Sequence, residues 1–319
     1  MGWAPSVRRC WHPTSWRRRS GEIRDLTERP FAVNLFAYQE DPEPADEAHA
    51  AMREHLAAHR AQLGLPDPDL PPPPALRAQL EAQLEVIAEA RFPVFSFTFG
   101  IPALEAVRES EALLIGTATT TEEAAALEAA GVDAVVAQGS EAGGHRGAFL
   151  GPPGRSLVGL VALVPQVVDR VDLPVIAAGG IMDGRGIAAA LALGADGVQL
   201  GTAFLVSDES TASDTHKRRV AASADDATTI TDTCTGRDAR AIRTPLIDEL
   251  ERSGLDVPPF PPQSMLTRPL HEAAAERDRD ELMFMLSGQA GALARPGPTK
   301  EIMERLAREA EAAIERLAA

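Results

Sequence analysis

A histidine inside a glycine-rich turn is the part of this sequence best suited to chemistry. His145 lies in "GSEAGGHRG" (139–147), which holds four glycines and directly follows the apolar run "DAVVAQ". Histidine exchanges a proton near neutral pH, so it can act as a general acid or base. Gly143 and Gly144 leave room for a flat ligand beside the imidazole. The alternative is a turn histidine whose ring is satisfied by nearby backbone groups.

Two further glycine turns have the character of phosphate sites. Gly179 and Gly180 lie in "AAGGIMDGRGIAAAL", where Asp183 is a suitable N-cap for the helix that follows. Gly201 and Thr202 lie in "QLGTAF", at the end of the next apolar run. Bare backbone N–H groups bind phosphate well, especially beside a helix N-terminus. Glycines that merely turn the chain are the alternative, but two such turns at consecutive strand ends favour phosphate.

Six short apolar runs alternate with helix-like segments and predict a parallel α/β fold. The runs are hydrophobic at nearly every position, as expected of strands buried on both faces. The segments between them are rich in Ala and Leu, with acidic starts and glycine ends. Such alternation predicts a (β/α)8 TIM barrel, in which the turns after the strands form the active face. The predicted strands are 30–37, 93–100, 112–119, 133–140, 174–180 and 197–204.

Three regions depart from a regular barrel. A complete barrel has eight strands, so we expect the first one or two to be missing. Residues 41–91, with the proline-rich "PDPDLPPPP" (66–74), are expected to form a helical excursion, and 206–319 are expected to add helices on the substrate side. Residues 1–21 are rich in Trp and Arg, and we expect an aberrant, disordered N-terminus that was translated out of frame from a 5′-truncated reading frame. The barrel domain is then 22–319.

The composition argues against several kinds of partner. The formal net charge is −16 at pH 7, which disfavours binding to nucleic acid or to an anionic membrane surface. No apolar run reaches the roughly 18 residues of a membrane-spanning helix. Cys10 and Cys234 make no disulfide framework, so we expect a cytoplasmic protein in which Cys234 is a small apolar residue. His55 and His59 are spaced like a metal pair but lack a third ligand, so we expect exposed helix residues and no metal.

The sequence resembles the nitronate monooxygenase family, also called 2-nitropropane dioxygenases. The resemblance covers about residues 22–316 and rests on "AQGSEAGGHRG" together with "VIAAGGIMDGRGIAAALALGADGVQLGTAFL". It implies an FMN-dependent TIM-barrel enzyme that oxidises a nitronate or nitroalkane with O₂, such as propionate 3-nitronate or small alkyl nitronates. It also implies that His145 is the catalytic residue. The residues implied or expected to bind FMN are Asn34, Gln138, Gly143, Gly144, Gly179, Gly180, Gln199, Leu200, Gly201 and Thr202.

Elementary chemistry agrees with this resemblance. A nitroalkane must lose the proton on its α-carbon, and neutral His145 can accept it, whereas protonated His145 can hold the nitro oxygens. FMN is expected rather than FAD, since no G-x-G-x-x-G dinucleotide fingerprint follows an early strand. Two alternatives stay open, an FMN-dependent enoyl-[acyl-carrier-protein] reductase that uses NAD(P)H and an inactive truncated fragment. The oligomeric state is not predicted.

Two smaller features follow from the same resemblance. Thr98 lies at a strand end where many family members carry another histidine, so this chain is expected to have one fewer polar group near the flavin. The segment Ser287–Gln289 resembles one that packs near the cofactor.

Overall fold

The computed structural model describes residues 13–38, 41, 47–68, 75–151, 154 and 156–318. Nine strands lie within them: β1 (Ala32–Phe36), β2 (Val94–Thr98), β3 (Leu113–Ala118), β4 (Ala134–Gln138), β5 (Gly144–His145), β6 (Val175–Ala178), β7 (Gly197–Gln199), β8 (Thr228–Thr231) and β9 (Ala239–Ile242). Six of them form a parallel sheet in the order β1-β2-β3-β4-β6-β7, and three form an antiparallel sheet in the order β5-β9-β8. The six strands of the parallel sheet lie within the six predicted apolar runs, but the last run, 197–204, is a strand only over Gly197–Gln199, and residues 202–204 lie in a short helix.

Thirteen α-helices accompany these strands over the same residues. Two of those that follow strands of the parallel sheet begin at a polar capping residue: Thr120 and Asp183 accept backbone N–H groups from the first turns of their helices. The helices are α1 (Pro13–Leu26), α2 (Glu47–His55), α3 (Ala57–Gln62), α4 (Leu76–Ala90), α5 (Glu105–Glu109), α6 (Thr121–Ala129), α7 (Leu160–Val168), α8 (Gly184–Ala192), α9 (Thr202–Leu205), α10 (Asp214–Ala221), α11 (Pro245–Ser253), α12 (Pro262–Glu276) and α13 (Thr299–Ala318).

The core of the parallel sheet consists almost entirely of apolar side chains. Phe95 and Phe97 of β2 are fully buried, and Phe95 lies beside Val33 in the register with β1. Leu127 of α6 and Leu163 of α7 are buried in the same cluster. Each such side chain contributes roughly 1.5–3 kcal/mol when it is removed from water. This burial is why continuous apolar runs in the sequence become strands here.

The parallel sheet brings the ends of its strands to one edge. All five neighbouring pairs are parallel, and the register places Gln138, Ala178 and Gln199 side by side at the carboxyl ends of β4, β6 and β7. Within the described residues the sheet has free edges at β1 and β7, so six strands of an eight-stranded barrel are present. The turns that follow these strands therefore lie on a common face.

The antiparallel sheet corrects one prediction. The region 206–319 was expected to be helical, but it also contains β8 and β9, which pair over four residues. Their sequences, "TTIT" and "ARAI", are too short and too mixed in polarity to stand out as strands. Helices α2 and α3 of the excursion pack against this region, with Met52 and Leu56 in one cluster with Leu266 of α12.

The N-terminal end of the described chain is helical. Residues 13–21 lie in α1, whereas disorder was expected there; residues 1–12 and 69–74 lie outside the described residues. Arg24 of α1 donates to the Ala90 carbonyl at 2.6 Å, and its guanidinium lies 5.8 Å from the Phe92 ring centroid. The division of the chain at residue 21 stays a prediction. None of the described helices is both long enough and apolar enough to span a membrane.

Candidate active site

The glycine-rich turn after β4 folds back so that its histidine lies on a strand. Gly144 and His145 form β5, which pairs with β9 and places His145 opposite Ala239. Gly144 has a φ of +88°, a left-handed conformation that favours glycine. The His145 ring is half-buried and lines a cavity. It is therefore held by the second sheet, not by an open loop.

Three arginines hold the carbonyl oxygens of this turn. Arg146 is 1% exposed, and burial is the main cause that lowers the pKa of its guanidinium to about 10, so it stays a cation at neutral pH. Arg240 lies on β9 and Arg237 lies just before it, and both side chains reach the turn region. The hydrogen bonds run from Arg146 to the carbonyls of Gly139 (2.7 Å), Gln138 (2.9 Å) and Ser156 (2.9 Å), from Arg240 to Ser140 (2.8 Å) and from Arg237 to Ala148. Charged donors make stronger hydrogen bonds than neutral ones, which fixes the shape of the turn.

Two carboxylates complete this framework by accepting backbone N–H groups. Glu123, which is fully buried, accepts from Thr119, Phe149 and Leu150. Glu141 accepts the Leu160 N–H with both oxygens at 2.9 Å. Neither residue was predicted from the sequence. The one local signal was the capping-box spacing Thr120-x-x-Glu123, which predicts a helix start but not a buried carboxylate.

His145 is surrounded by aromatic rings and one hydroxyl. Its Nε2 lies 3.0 Å from Thr235 Oγ1, and its ring meets those of Phe99 and Phe260 edge to face at centroid distances of 6.0 and 6.3 Å. Burial lowers the pKa of His145 to about 4, and the nearby Arg237 guanidinium contributes in the same direction. The ring is therefore neutral at pH 7 and has a lone pair available to accept a proton.

A cavity of about 490 Å³ opens beside His145. One wall is a single face of α12, whose cavity-lining side chains recur at spacings of three and four residues. They include Ser264, Thr267, Arg268, His271, Glu272 and Ala275. The opposite walls include Thr235, Phe260, Met283 and Leu286, and most of the lining is apolar. The cavity has the size and character of a small-molecule site.

Two of the amide side chains expected to bind a cofactor lie on the parallel sheet, Asn34 in the middle of β1 and Gln138 at the carboxyl end of β4. Asn34 accepts a hydrogen bond from Ser96 Oγ at 2.8 Å. Gln138 spans the glycine turn, because its Nε2 donates to the His145 carbonyl at 3.2 Å and its Oε1 accepts the Gly147 N–H at 2.8 Å. Thr98 also faces Gly147, where an added Cβ would lie 3.4 Å from the Thr98 Oγ1. Thr98 and Gln138 lie at the strand ends where the sequence placed them, and Asn34 lies within its strand.

The turn at Gly179–Gly180 packs beneath the His145 turn. Gly179 has a φ of +123° and Gly180 a φ of +65°. A Cβ at Gly179 would lie 3.0 Å from the Ala142 nitrogen, and one at Gly180 would lie 3.2 Å from Glu141 Cβ. Both positions therefore need glycine, for backbone conformation and for space.

The helix after this turn does not offer its N-terminus to a ligand. Asp183 accepts the N–H groups of Arg185 and Gly186, and Glu309 of α13 accepts that of Gly184 at 3.3 Å. The expected N-cap is confirmed. Because these N–H groups are already paired, a phosphate at this edge must be bound by the turns and not by the start of α8.

The turn after β7 is more open. Gln199 and Gly201 are exposed, and a Cβ at Gly201 would meet nothing within 4 Å. No side chain caps α9, which begins at Thr202. The Thr202 hydroxyl is itself occupied, since it accepts the Gly288 N–H at 2.8 Å. The Gln199–Thr202 turn therefore presents backbone, more than hydroxyl, to a ligand.

The segment Ser287–Gln289 joins these turns to one another. A Cβ at Gly143 would lie 2.4 Å from the Gly288 nitrogen, so the backbones of the two segments are in contact at this point. Gln289 donates its N–H to the Glu141 carbonyl at 2.9 Å. The segment thus lies between the glycine turn and Thr202, beside the residues expected to bind the cofactor.

The histidine pair His55 and His59 has a different role from the one expected. Both rings are partly buried, and their Nε2 atoms lie 3.1 and 2.9 Å from Glu249 Oε1 on α11. The described residues contain no group of three or more His, Cys, Asp or Glu side chains arranged to hold a metal ion. The pair ties the helical excursion to α11. Cys234 is buried, and burial raises the pKa of its thiol to about 12, in keeping with a small apolar residue.

Comparison with known proteins agrees with this geometry. The sequence model of the nitronate monooxygenase family matches residues 16–309. The chain belongs to the nitronate monooxygenase family. A probable nitronate monooxygenase of Staphylococcus aureus (strain JH9) is 42% identical over 288 residues, which are 89% of this chain and 80% of that protein. One of Staphylococcus saprophyticus is 39% identical and covers 92% of this chain and 83% of its own length.

Solved structures show the same relationship. The nitroalkane oxidase of Streptomyces ansochromogenes superposes with a TM-score of 0.84 and 39% identity, covering 96% of this chain and 87% of its own. FabK of Thermotoga maritima superposes with a TM-score of 0.72 and 29% identity, covering 96% and 84%. The chain is therefore an oxidoreductase with the α/β fold of the TIM-barrel family, and its family is flavin-dependent.

Proposed function

We propose that this protein oxidises a nitronate or nitroalkane with O₂, using FMN as cofactor and His145 as the base. The observation that carries the proposal is the position of His145. Its neutral ring lines a 490 Å³ cavity. The residue comes shortly after β4, whose carboxyl end lies at the same edge of the sheet as the glycine turns. A cavity, a base and an edge suited to a flat, phosphate-bearing group are the parts that this chemistry requires.

The residues at this edge fit FMN. Gly201 has open space on its Cβ side and α9 has no side-chain cap, so the Gln199–Thr202 turn can approach a phosphate with its backbone. Gly179 and Gly180 adjoin it from β6. Asn34, Gln138, Gly143 and Gly144 then remain for the flavin ring, and Leu200 lies within the phosphate turn. One phosphate cradle and no dinucleotide fingerprint favour FMN over FAD.

His145 supplies the proton transfer. Its pKa of about 4 keeps the ring neutral, so it can accept the proton from the substrate's α-carbon without first losing one of its own. A substrate that is already a nitronate needs no such step. The nearby Arg237 guanidinium disfavours a protonated His145 ring, so the ring readily gives up the proton that it has accepted. FMN, when bound, would accept electrons from the substrate and transfer them to O₂.

The cavity favours a small organic nitro compound as substrate. Its lining is mostly apolar, with Arg268, His271 and Glu272 among the polar groups of the α12 wall. Small nitronates, including propionate 3-nitronate and alkyl nitronates, fall within this class. We place the protein in the cytoplasm, since Cys234 is a free, buried thiol.

The second candidate is an enoyl reductase of the FabK type that draws electrons from NAD(P)H. The 29% identity with FabK over 96% of this chain favours it. The two candidates differ in the compound that reduces the flavin. The nitroalkane oxidase likeness is stronger in both identity and superposition, which favours the first.

Anaerobic mixing of the purified flavoprotein tests this choice. We expect a nitronate to bleach the flavin absorbance and NADPH to leave it unchanged on the time scale of turnover. Bleaching by NADPH but not by a nitronate would establish the second candidate instead. Chromatography of the flavin released from the same sample is expected to give FMN, and FAD would contradict the cofactor assignment.

A further inference from the structure

Thr235 is the polar group in closest contact with the His145 ring. The residue is buried at 7% exposure, and its Oγ1 lies 3.0 Å from His145 Nε2. The same oxygen donates a hydrogen bond to the Arg237 carbonyl at 3.1 Å. A histidine, a threonine and a backbone carbonyl thus form a short chain of hydrogen bonds.

The donor directions in this chain follow from the inventory of protons. A hydroxyl has one proton to donate, and the Arg237 carbonyl, which can only accept, takes it. Toward His145, Oγ1 is therefore an acceptor, so Nε2 must carry the ring proton. In a neutral imidazole the other nitrogen, Nδ1, then has the lone pair.

The free nitrogen is placed for chemistry. Nδ1 has no hydrogen-bond partner among the described residues. It is nevertheless not one of the fully buried side-chain atoms that are left unpaired. It therefore has accessible surface, and the residue that carries it lines the cavity. Phe99 and Phe260 flank the ring and limit its rotation.

We propose that Thr235 is a positioning residue that fixes His145 as the tautomer protonated on Nε2, so that Nδ1 is the atom that accepts the substrate's proton. The second half of this inference rests on the function proposed above. In the step, the α-carbon–hydrogen bond breaks, the proton goes to Nδ1, and the electron pair stays on the substrate as the nitronate. The ring becomes a cation whose Nε2–H still donates to Thr235, a bond that strengthens as the charge develops.

Nitrogen NMR of the purified full chain, labelled with ¹⁵N-histidine, tests the tautomer directly. The His145 signals are assigned by their loss in His145→Gln. We expect a protonated Nε2 and an unprotonated Nδ1 at neutral pH. A proton on Nδ1 in the unmodified protein overturns the proposal, whatever the protein's activity.

Two variants of Thr235 separate positioning from bulk structure. Thr235→Val keeps the shape of the side chain without its hydroxyl, and Thr235→Ser keeps the hydroxyl. We expect Val to give a mixture of tautomers and Ser to retain the original one. An unchanged tautomer in Val means that Thr235 does not set it. If Val does not fold, a Ser variant with an altered tautomer overturns the proposal equally.

Kinetics test the role of Nδ1. We expect Thr235→Val to slow flavin reduction by a neutral nitroalkane on the order of 10-fold, a part of the full contribution of a general base. Reduction by a preformed nitronate should change by less than about three-fold, and Ser should restore both. Equal slowing of both substrates contradicts the proton-acceptor role. If the unmodified protein oxidises neither compound, the proposed function fails, and the tautomer is still decided by NMR.

Discussion

The two sheets of this protein meet at His145 and are stabilised in different ways. Around the parallel sheet the buried side chains are mainly Val, Leu, Ala and Phe. Around β8, β9 and α12 many buried side chains are polar and hydrogen-bonded to one another. Thr231 pairs with Thr233 at 2.9 Å, and Gln263 and Thr267 donate to the carbonyls of Thr233 and Cys234.

This difference matches what each region contributes to the site. Apolar burial is strong but non-directional, so it stabilises the sheet whose edge carries the cofactor turns without setting the angle of any one group. Hydrogen bonds are directional, and the second region uses them to orient a single imidazole. The glycine turn that joins the two regions depends on both, because cations and carboxylates fix its backbone. The predictions below separate these contributions.

The largest effect is expected at Arg146. Arg146→Met removes the charged donor shared by the carbonyls of Gly139, Gln138 and Ser156, of which Gly139 keeps the Ala142 N–H at 3.1 Å. We expect the free energy of unfolding to fall by about 3–5 kcal/mol, since each buried carbonyl left without a hydrogen bond costs about 1–3 kcal/mol. Urea denaturation followed by circular dichroism measures it.

Arg185→Met is the matched control for this loss. Arg185 lies beside the next glycine turn and pairs with Asp183, but its side chain is 67% exposed. An exposed ion pair contributes little to stability, so we expect a much smaller loss here. Equal losses in the two variants would mean that the guanidinium contacts of the glycine turn are no stronger than a surface pair.

The next largest effect is expected at Gly143, where the glycine turn contacts the backbone of the Ser287–Gln289 segment. A Cβ there would lie 2.4 Å from the Gly288 nitrogen, and backbone on both sides cannot move aside. We expect Gly143→Ala to lower stability by about 3 kcal/mol, the upper part of the usual cost of overpacking. The thermal midpoint measured by calorimetry should fall accordingly.

Gly201→Ala provides the contrast, since a Cβ there would enter open space. It should leave the stability of the flavin-free protein unchanged and weaken flavin binding, as measured by equilibrium dialysis. A stable Gly143→Ala protein would refute the close contact between the turn and Ser287–Gln289. Unchanged flavin affinity in Gly201→Ala would refute the phosphate assignment.

A smaller effect is expected from pH at His271 in the cavity wall. Burial lowers the pKa of His271 to about 4, so the unfolded chain, with a pKa near 6.5, binds a proton that the folded chain does not. The stability contributed by neutral His271 is therefore fully present above pH 6.5 and is lost as the pH falls toward 4. His271 should account for roughly 2 kcal/mol between pH 7 and pH 5.

His271→Gln tests this linkage, because the amide can still donate to the Leu282 carbonyl that His271 now contacts at 2.7 Å. Denaturation at pH 7 and pH 5 should show a smaller loss of stability in the variant than in the unmodified protein. The same loss in both would mean that His271 titrates normally.

The sequence predicted the parallel region well and the polar region poorly, for a physical reason. Strands buried on both faces are visible as local apolar runs, and the glycine turns follow them directly. Thr235 contacts His145 across 90 positions of sequence, and β8 and β9 are four-residue strands of mixed polarity. Neither leaves a local pattern. The α12 wall has helical spacing, but nothing in it indicates that the face lines a cavity.

The role of His145 is tested most directly by comparing two forms of one substrate. In His145→Ala, the rate of anaerobic flavin reduction is measured by stopped flow with a neutral nitroalkane and with its preformed nitronate. We expect the rate with the nitroalkane to fall by about 10²–10⁴-fold, the usual contribution of a general base, and the rate with the nitronate to fall far less. Equal losses with both forms would contradict the account, because His145 would then bind the substrate without removing its proton.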